Sequence, residues 1–289
     1  MAQTINTNLV SLNAQRNLSS SQSALATSMQ RLSSGLRVNG AKDDAAGLAI
    51  AERMNTQVRG MNVATRNAND AISLAQTAEG ALGKVGDIFQ RMRELAVQSA
   101  NGTNSTTDRA SLNEEFTQLA QEATRTLGGT QFNNQNILAT TAASTFQIGA
   151  NNVTDVDQIT VAAFTWTAAA GVTDVLGTSI LTGTSGPTLA ISGSDGSAAI
   201  TALASLDTAI NTINSQRGTF GAIQNRFENV VATLMVASEN QSAARSRIMD
   251  ADYAAETANL SRASILQQAG NAMVAQANQL PQQVLSLLR

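Results

Sequence analysis

The feature that most constrains this chain is an apolar residue at every seventh position over a long stretch. The series consists of Met54, Met61, Ala68, Ala75, Leu82, Phe89 and Ala96. A second row, three or four residues away, consists of Val58, Ala64, Ile72, Ala78, Val85 and Met92. Two such rows form a stripe with a period of about 3.5 residues, which is typical of helices packed side by side along their length. The sequence therefore predicts one long helix over residues 44–99.

The same seven-residue step returns in the last third of the chain. Its members are Leu206, Ile213, Phe220, Phe227, Leu234 and Ile248, with one interruption at Gln241, and the second row contains Leu203, Ile210 and Val231. A third, shorter stripe consists of Leu112, Phe116, Leu119, Ala123 and Leu127. A helix over 44–99 would be about 84 Å long, whereas a compact globule of this chain length would be roughly 50 Å across. We therefore predict a mainly α fold, a long antiparallel helical rod in which early and late helices pack like a coiled coil.

The middle of the chain differs in composition from its ends. Residues 166–199 contain six glycines and Pro187, and no basic residue occurs between Arg125 and Arg217. Apolar and polar residues alternate over 146–149 and over 158–161, a pattern typical of strands around a turn. We therefore predict a small β-hairpin here, followed by turns and loops.

Composition excludes most catalytic chemistry. The chain has no Cys and no His, so it offers neither thiolate nor imidazole ligands and lacks the base of a Ser-His triad. Its formal net charge is −3, and its basic residues do not cluster as they do in nucleic-acid-binding proteins. We predict a protein that has no catalytic residues, no metal site and no cofactor, and that binds no nucleic acid.

The apolar runs are too short for a membrane. No stretch approaches the roughly 18 apolar residues that cross a bilayer, so we expect no membrane insertion. The first basic residue is Arg16, and no continuous apolar run surrounds it, so the pattern of a cleaved signal peptide is missing. These observations are typical of a cytoplasmic protein, and equally of a protein that is exported with its N-terminus uncut.

Both ends of the chain carry an apolar stripe and very little charge. Only Arg16 and Arg31 are charged within residues 1–36. The stripe residues that we single out are Ile5, Leu9, Leu12, Leu25, Met29, Leu32 and Leu36, and at the other end Leu266, Met273, Leu280, Val284, Leu287 and Leu288. Lone helices of this kind are marginal in water, so we expect the ends to be disordered in a free monomer. Their partner is either the opposite end of the same chain or, as we favour, copies of the same protein.

Local signals mark where the first helices end and begin. Gly35 follows Arg31-Leu32-Ser33-Ser34 and is suited to the left-handed conformation that closes a helix. Asp43 or Asp44 precedes the long helix and is suited to cap its N-terminus. These signals predict a break between the terminal helix and the long helix.

Several long motifs carry a resemblance to a known family. On the N-terminal side they are Ile5-Asn6-Thr7-Asn8, Arg31-Leu32-Ser33-Ser34-Gly35-Leu36-Arg37, Ala41-Lys42-Asp43-Asp44-Ala45-Ala46-Gly47 and Gln90-Arg91-Met92-Arg93-Glu94-Leu95-Ala96. On the C-terminal side they are Gly221-Ala222-Ile223-Gln224-Asn225-Arg226-Phe227, Ala244-Arg245-Ser246-Arg247-Ile248-Met249-Asp250 and Val284-Leu285-Ser286-Leu287-Leu288-Arg289. They resemble bacterial flagellin closely, in the family's order and at its spacing, over roughly residues 1–140 and 203–289.

The resemblance implies a domain organisation. Residues 1–43 and 250–289 would form a terminal helical core domain, in which the terminal helices pair in an inner core. Residues 44–140 and 203–249 would form the helical rod domain. Residues 141–163 would be the β-hairpin on the rod, and residues 164–202 a short variable surface segment without a domain of its own.

The resemblance also implies a function and partners. The protein would be a subunit that self-assembles into the flagellar filament used for swimming, secreted without a cleaved signal peptide and located outside the cell. Its partners would be copies of itself, an export chaperone on the C-terminal helix, the filament cap and hook-junction proteins, and a Toll-like innate immune receptor that contacts Arg91, Leu95 and Glu115.

Two alternatives to a filament subunit follow from the same family. A hook–filament junction protein shares terminal motifs but does not polymerise indefinitely, and it fits less well because both ends match flagellin itself. Some flagellins carry a protease insertion with a His-Glu-x-x-His zinc site, which a chain without His excludes.

Overall fold

Helices make up most of the chain that the structure, a computed structural model, describes: residues 7–140, 142–162, 172–176 and 189–286. The helices are α1 Leu9–Ser34, α2 Ala45–Ala100, α3 Thr106–Gly129, α4 Thr154–Asp157, α5 Val172–Leu176, α6 Ser197–Met249 and α7 Tyr253–Ser286. The strands are β1 Gln131–Phe132, β2 Gln135–Asn136, β3 Ser144–Gln147 and β4 Gln158–Val161. The predicted mainly α fold is confirmed, and the helix predicted over 44–99 is α2.

The chain divides into two compact units. One comprises Met1–Thr56 and Glu239–Arg289, and we call it the terminal unit. The other comprises Gln57–Ser238, and we call it the central unit.

Within the central unit, α2 and α6 pack antiparallel. Arg93 Nε donates to Asp207 Oδ1 at 2.6 Å, Gln224 Nε2 donates to Glu79 Oε2 at 3.0 Å, and Ser238 Oγ donates to Asn62 Oδ1 at 3.2 Å. Residues later in α6 therefore pair with residues earlier in α2. This order confirms the predicted antiparallel packing of early and late helices.

The predicted seven-residue stripes form the core of the central unit. The fully buried residues on them include Ala68, Ala75, Leu82, Val85, Phe89 and Met92 of α2, and Leu206, Ile213, Phe220 and Phe227 of α6. From α3, Phe116, Ala123 and Leu127 join the same core. Burying one such Leu, Met or Phe side chain contributes about 1.5–3 kcal/mol to folding. Burial along the stripes therefore stabilises the helices over the length in which they pack.

The predicted β-hairpin is present, with strand bounds slightly different from those expected. β3 pairs with β4 antiparallel, with Ser144 opposite Val161 and Phe146 opposite Ile159. Ile148 and Gly149, expected in the first strand, lie in the connection instead. The hairpin packs on the helices, because the Phe146 ring meets the Phe227 ring edge-on at 5.7 Å.

A second, smaller hairpin was not predicted. β1 and β2 pair antiparallel across a two-residue turn, in which Asn133 and Asn134 have φ of 50° and 62°. Positive φ at both central residues is what a type I′ turn requires, and Asn tolerates it better than most residues. The Asn-Asn pair was the available signal.

The expected surface segment 164–202 lies partly in the core and partly outside the described residues. Its residues 164–171 and 177–188 are not described. Val172, Val175 and Leu176 of α5, together with Ile191, are 0–1% exposed and belong to the core of the central unit. We expected these residues at the surface, but they lie in the core, because their apolar side chains fill space between the helices.

Candidate assembly surface

The two ends of the chain form a helix pair within the terminal unit. Asn8 Nδ2 donates to Ala277 O at 2.7 Å, Ser11 Oγ donates to Asn278 Oδ1 at 2.7 Å, and Tyr253 OH donates to Leu32 O at 3.1 Å. The N-terminal end of α1 thus meets the C-terminal part of α7, so the two helices run antiparallel.

Small and polar residues form the contact between α1 and α7. Ser11, Ser28, Ala263 and Ala277 are 3–6% exposed. Gly270 allows a close approach, because a Cβ at this position would lie 3.1 Å from Leu18 Cδ1. The interior of the pair therefore contains little apolar side-chain volume.

Large apolar side chains of the same helices face outward. Leu9 is 69% exposed, Met29 57%, and Met273 60%. Leu12, at 48%, and Leu266, at 51%, are exposed as well. A monomeric protein seldom leaves such residues together on one pair of helices without a binding partner.

The other predicted stripe residues fall into three groups. Leu25, Leu32 and Leu36 are half-buried. Leu280 and Val284 lie within α7, with side chains outside the description, whereas Ile5, Leu287 and Leu288 lie outside the described residues altogether. Ile265 also belongs to the C-terminal apolar stripe and is 65% exposed. Val10, which is 56% exposed and stands next to Leu9, was not predicted to belong to the stripe.

A shallow apolar groove runs between the two helices. It has a volume of about 510 Å³, and its lining includes Leu9, Leu18, Leu266, Gly270 and Met273. The small residues Ala14, Ala269 and Gly270 leave the space, and the large side chains border it. The groove therefore adds to the exposed apolar surface of the pair.

Charge is sparse on the pair. Arg31 Nη1 lies 3.9 Å from Glu256 Oε2, and Glu256 is only 7% exposed. Arg16 and Arg262 are the other charged residues of the two helices as the structure describes them. Few charges therefore oppose the approach of an apolar partner surface.

Two short links join the terminal helices to the long ones and are hydrogen-bonded to each other. Gly35 closes α1 with φ of 71°, as its sequence signal predicted. Arg37 N donates to Met249 O at 2.6 Å, and Ala251 N donates to Gly35 O at 2.9 Å. Asp44 caps α2 by accepting from Gly47 N at 2.8 Å, which confirms the capping prediction. The links fix where the terminal pair begins.

The expected receptor patch is only partly assembled at the surface of the central unit. Arg91 Nε and Nη2 donate to Glu115 Oε1 at 3.0 and 2.9 Å, and Nη1 donates to Glu94 Oε2 at 2.9 Å. The hydrogen bonds that Arg91 donates to Glu94 and Glu115 raise the pKa of Arg91. Leu95, in contrast, is 1% exposed and packs in the core, because it stands on the inner face of α2. It is therefore not accessible to a partner in this structure.

The described residues hold no group of three or more Asp, Glu, His or Cys side chains arranged to bind a metal. None of the described helices is long and apolar enough to cross a bilayer.

Comparison with known proteins identifies related chains. Residues 5–143 match the bacterial flagellin N-terminal helical region, and residues 203–288 match the bacterial flagellin C-terminal helical region. A flagellin of Halalkalibacterium halodurans is 45% identical over 99% of this chain and 99% of its own length. The flagellar filament 33 kDa core protein of Treponema phagedenis is 45% identical over the same shares. The crystal structure of Bacillus cereus flagellin is 34% identical, covering 58% of this chain and 88% of that one, with a TM-score of 0.47.

Long packed helices with an outward-facing apolar surface on the terminal pair define a self-assembling structural protein rather than an enzyme. The two family matches and the full-length relatives identify it further: the chain belongs to the bacterial flagellin family. It is a subunit of the extracellular flagellar filament, and the junction-protein alternative is not favoured.

Proposed function

We propose that the outward-facing apolar side chains of α1 and α7 form the contacts between subunits inside the filament, and that the filament serves swimming motility. The observation that carries this proposal is the inverted packing of the pair, with small residues inside and Leu9, Met29 and Met273 outside. Ile5, Leu280, Val284, Leu287 and Leu288 continue the same stripe in sequence and belong to the proposed contact.

The energetics favour assembly through this surface. Moving one Leu or Met side chain from water into an apolar contact is worth about 1.5–3 kcal/mol. Leu9, Leu12, Met29, Leu266 and Met273 are each about half exposed or more in the single chain. Each side chain regains part of that free energy when another subunit covers it, which drives the polymer.

Surface variants test the proposal. Leu9→Ser combined with Leu266→Ser removes two exposed apolar side chains and leaves the interior of the pair intact. We expect the variant to keep wild-type circular dichroism and to fail to elongate filament seeds. Val156→Ser is the matched control, because Val156 is a 72% exposed apolar residue of the central unit. Elongation by the double variant at the wild-type rate would contradict the proposal.

We further propose the domain assignment that the family implies. Residues 1–43 and 250–289 act as the inner region of the filament, and residues 44–140 and 203–249 as the surrounding helical region. Residues 141–163 form the hairpin, and residues 164–202 form the variable segment. The division of the chain into a terminal unit and a central unit supports this assignment in outline, with unit boundaries after Thr56 and Ser238. The buried cluster of Val38, Ala51 and Met249 joins residues from both sides of the proposed boundaries at 43 and 250. Cleavage of filaments by a protease, followed by mass mapping, tests it: sites within 164–202 are expected to be cut before sites within 1–43.

We propose export by the flagellar type III route without cleavage of the N-terminus. Asn8 and Ser11 support this, because both hydrogen-bond to α7 and a cleaved leader of ordinary length would remove them. The intact mass of subunits from filaments tests it, and a mass that lacks the first residues would refute it.

The remaining partners are proposed on the same surface. An export chaperone would cover α7 before assembly, since Ile265, Leu266 and Met273 are exposed in the single chain. The cap and hook-junction proteins would meet the same helices at the two ends of the filament. Deleting residues 260–289 should abolish chaperone binding in a pull-down, and retained binding would exclude this helix as the site.

A Toll-like receptor would contact the exposed pair Arg91 and Glu115, with Leu95 supporting the pair from the core. The support is the accessible ion pair at 2.9 Å. Arg91→Ala should lower receptor signalling, whereas Arg125→Ala, which alters another exposed arginine on the neighbouring helix α3, should not. Equal loss with both variants would remove the specific role of Arg91.

A further inference from the structure

We infer that Met29 and Met273 are oxidation sites that control assembly: peroxide converts them to sulfoxides in the free subunit, and the oxidised subunit does not enter the filament. This inference rests on the proposed role of the α1 and α7 surface. It adds to that role a chemical modification with two defined positions.

Exposure separates these two residues from most of the other methionines that the structure describes. Met29 is 57% exposed and Met273 is 60% exposed, whereas Met92 is 0% and Met249 is 6% exposed. Among the described methionines, only Met235 of the central unit, at 61%, is exposed to a similar degree. Peroxide therefore reaches Met29 and Met273 in the single chain without any unfolding.

Both residues lie within the apolar surface of the terminal pair. Met273 borders the groove together with Leu9, and it follows Leu266 by seven residues, so the two stand on one face of α7. Met29 lies near the other end of the pair, close to the contact between Leu32 and Tyr253. Oxidation of Met273 therefore places a polar group beside the groove, and oxidation of Met29 places one near the other end of the same contact surface.

The chemistry needs only a peroxide. A lone pair of the methionine sulfur attacks one peroxide oxygen, the O–O bond breaks, and an S–O bond forms. The second oxygen leaves as water after proton transfer. The thioether is oxidised by two electrons and the peroxide is reduced, so atoms and electrons balance.

A sulfoxide changes what the surface can bury. It replaces a flexible apolar group by a polar acceptor, and an acceptor buried without a donor is unfavourable. The groove lining near Met273 is largely apolar. The oxidised side chain therefore remains better solvated in the free subunit than in a contact between subunits.

Seeded elongation of peroxide-treated protein tests the inference. The full chain is treated with hydrogen peroxide as a monomer, peptide mapping locates the sulfoxides, and the critical concentration for elongation is measured. We expect this concentration to rise by at least about tenfold after treatment, and methionine sulfoxide reductase with a thiol reductant to restore it.

Variants assign the effect. Met29→Leu combined with Met273→Leu keeps apolar volume, and its own critical concentration before treatment is the reference. Peroxide should leave the critical concentration of this variant unchanged from that reference. Met235→Leu is the matched control, and it should stay sensitive to peroxide. In assembled filaments, Met29 and Met273 should oxidise more slowly than in the monomer.

The outcomes separate the inference from the proposed function. If the double Met→Leu variant loses elongation after peroxide as the wild-type chain does, or if both residues oxidise equally fast in filaments, the inference is overturned. If the outward-facing serine variant described above elongates normally, the proposed contact surface itself is wrong, whatever peroxide does.

Discussion

At the scale of single residues, a buried arginine holds the segment that precedes α6 against the C-terminal end of α2. Arg109 of α3 is 4% exposed, and its guanidinium donates to Ser99 O at 2.9 Å, Asn101 O at 3.2 Å and Ser194 O at 3.1 Å. Its cationic charge lies at the C-terminal end of α2, where a helix dipole favours it. One side chain thereby ties the end of α2 to the segment that precedes α6.

Two neighbouring side chains hold the same segment. Ser99 Oγ donates to Ile191 O at 2.6 Å, and Ile191 N donates to Asn113 Oδ1 at 2.8 Å. Gly196 permits the close approach, because a Cβ there would lie 2.7 Å from Ala100 O. The position of the first turn of α6 is therefore set by hydrogen bonds to main-chain atoms as well as by apolar packing.

Replacing Arg109 tests this arrangement. Arg109→Met leaves three carbonyl groups without their donor, so we expect the free energy of unfolding to fall by about 2–4 kcal/mol. Arg109→Lys keeps the charge but has no planar fork of donors, and should recover only part of the loss. Chemical denaturation measures both. Arg125→Met, an exposed position on the same helix, should cause no measurable change, and an equal effect there would contradict the assignment.

Some of the single-residue features could be predicted from sequence patterns, and others could not. Gly35 and Asp44 were predictable, because a helix end needs a particular local conformation or acceptor within a few residues. Arg109 was not, because its partners are main-chain carbonyls brought together only by the fold, and carbonyls carry no sequence signature. Accessibility was not predictable for a related reason, because a motif match does not say which residues of the motif are exposed. Leu95 therefore lies in the core, although the motif groups it with the exposed Arg91.

At the scale of elements, helix existence followed from periodicity, whereas strand bounds did not. The stripes of α2, α3 and α6 repeat often enough to fix a period, so their predicted positions agree with the structure. The β3–β4 hairpin offers only four residues per strand, and a shift of two residues leaves the alternation unchanged. The two-residue β1 and β2 strands are too short for any period to be visible.

The start of α3 provides an element whose stability depends on pH. Ser105 and Asp108 form a reciprocal capping box, in which the Ser105 N–H donates to Asp108 Oδ2 at 2.9 Å and Ser105 Oγ donates to it at 2.7 Å. These hydrogen bonds, the side-chain one first, lower the pKa of Asp108 from its ordinary value of 3.8. The ionised carboxylate is therefore favoured in the folded helix.

The sign of this shift predicts an acid-specific loss. Because the folded pKa is lowered, the stabilisation is present above the unfolded pKa near 3.8 and is lost as pH falls through the folded pKa. Asp108→Asn should therefore lower the melting temperature at neutral pH, and the difference from wild type should shrink below the ordinary aspartate value. Thermal melts from about pH 7 downward measure it. A difference that stays constant into acid would show that charge is not involved.

At the scale of the whole molecule, burial is distributed unevenly. The central unit contains a continuous core from Ala68 to Phe227 along the chain. In the described part of the terminal unit, a buried apolar cluster consists of Val38, Ala51 and Met249, with Leu36, Leu48 and Ile248 packed against it. That cluster lies at the links, so α1 and α7 are held together mainly by small residues and a few hydrogen bonds.

This uneven burial means that folding of the single chain stabilises the central unit more than the helix pair, which assembly must stabilise. The central unit buries many apolar side chains within the single chain, whereas the helix pair leaves large apolar side chains exposed. Of the two explanations offered by the sequence for the terminal stripes, the structure shows the first, because the ends pair with each other. The contact of their larger, exposed side chains with other subunits is the proposal made above. Periodicity predicted the stripes but not which side of them faces the partner helix.

Hydrogen exchange on free and assembled protein tests this division, and we expect the two units to respond differently to assembly. In the free subunit, amides of α1 and α7 should exchange rapidly, because opening the pair exposes little additional apolar surface; amides over 68–96 and 206–227 should exchange slowly, because they open only with the core. In filaments, protection of α1 and α7 should rise strongly, while that of the core segments should change little. The Leu9→Ser and Leu266→Ser double variant, mixed with seeds, serves as the control and should keep the exchange pattern of the free subunit. Strong protection of residues 9–30 in the free subunit would mean that the helix pair is stable by itself. The exposed leucines and methionines would then need a role other than stabilising the pair through assembly.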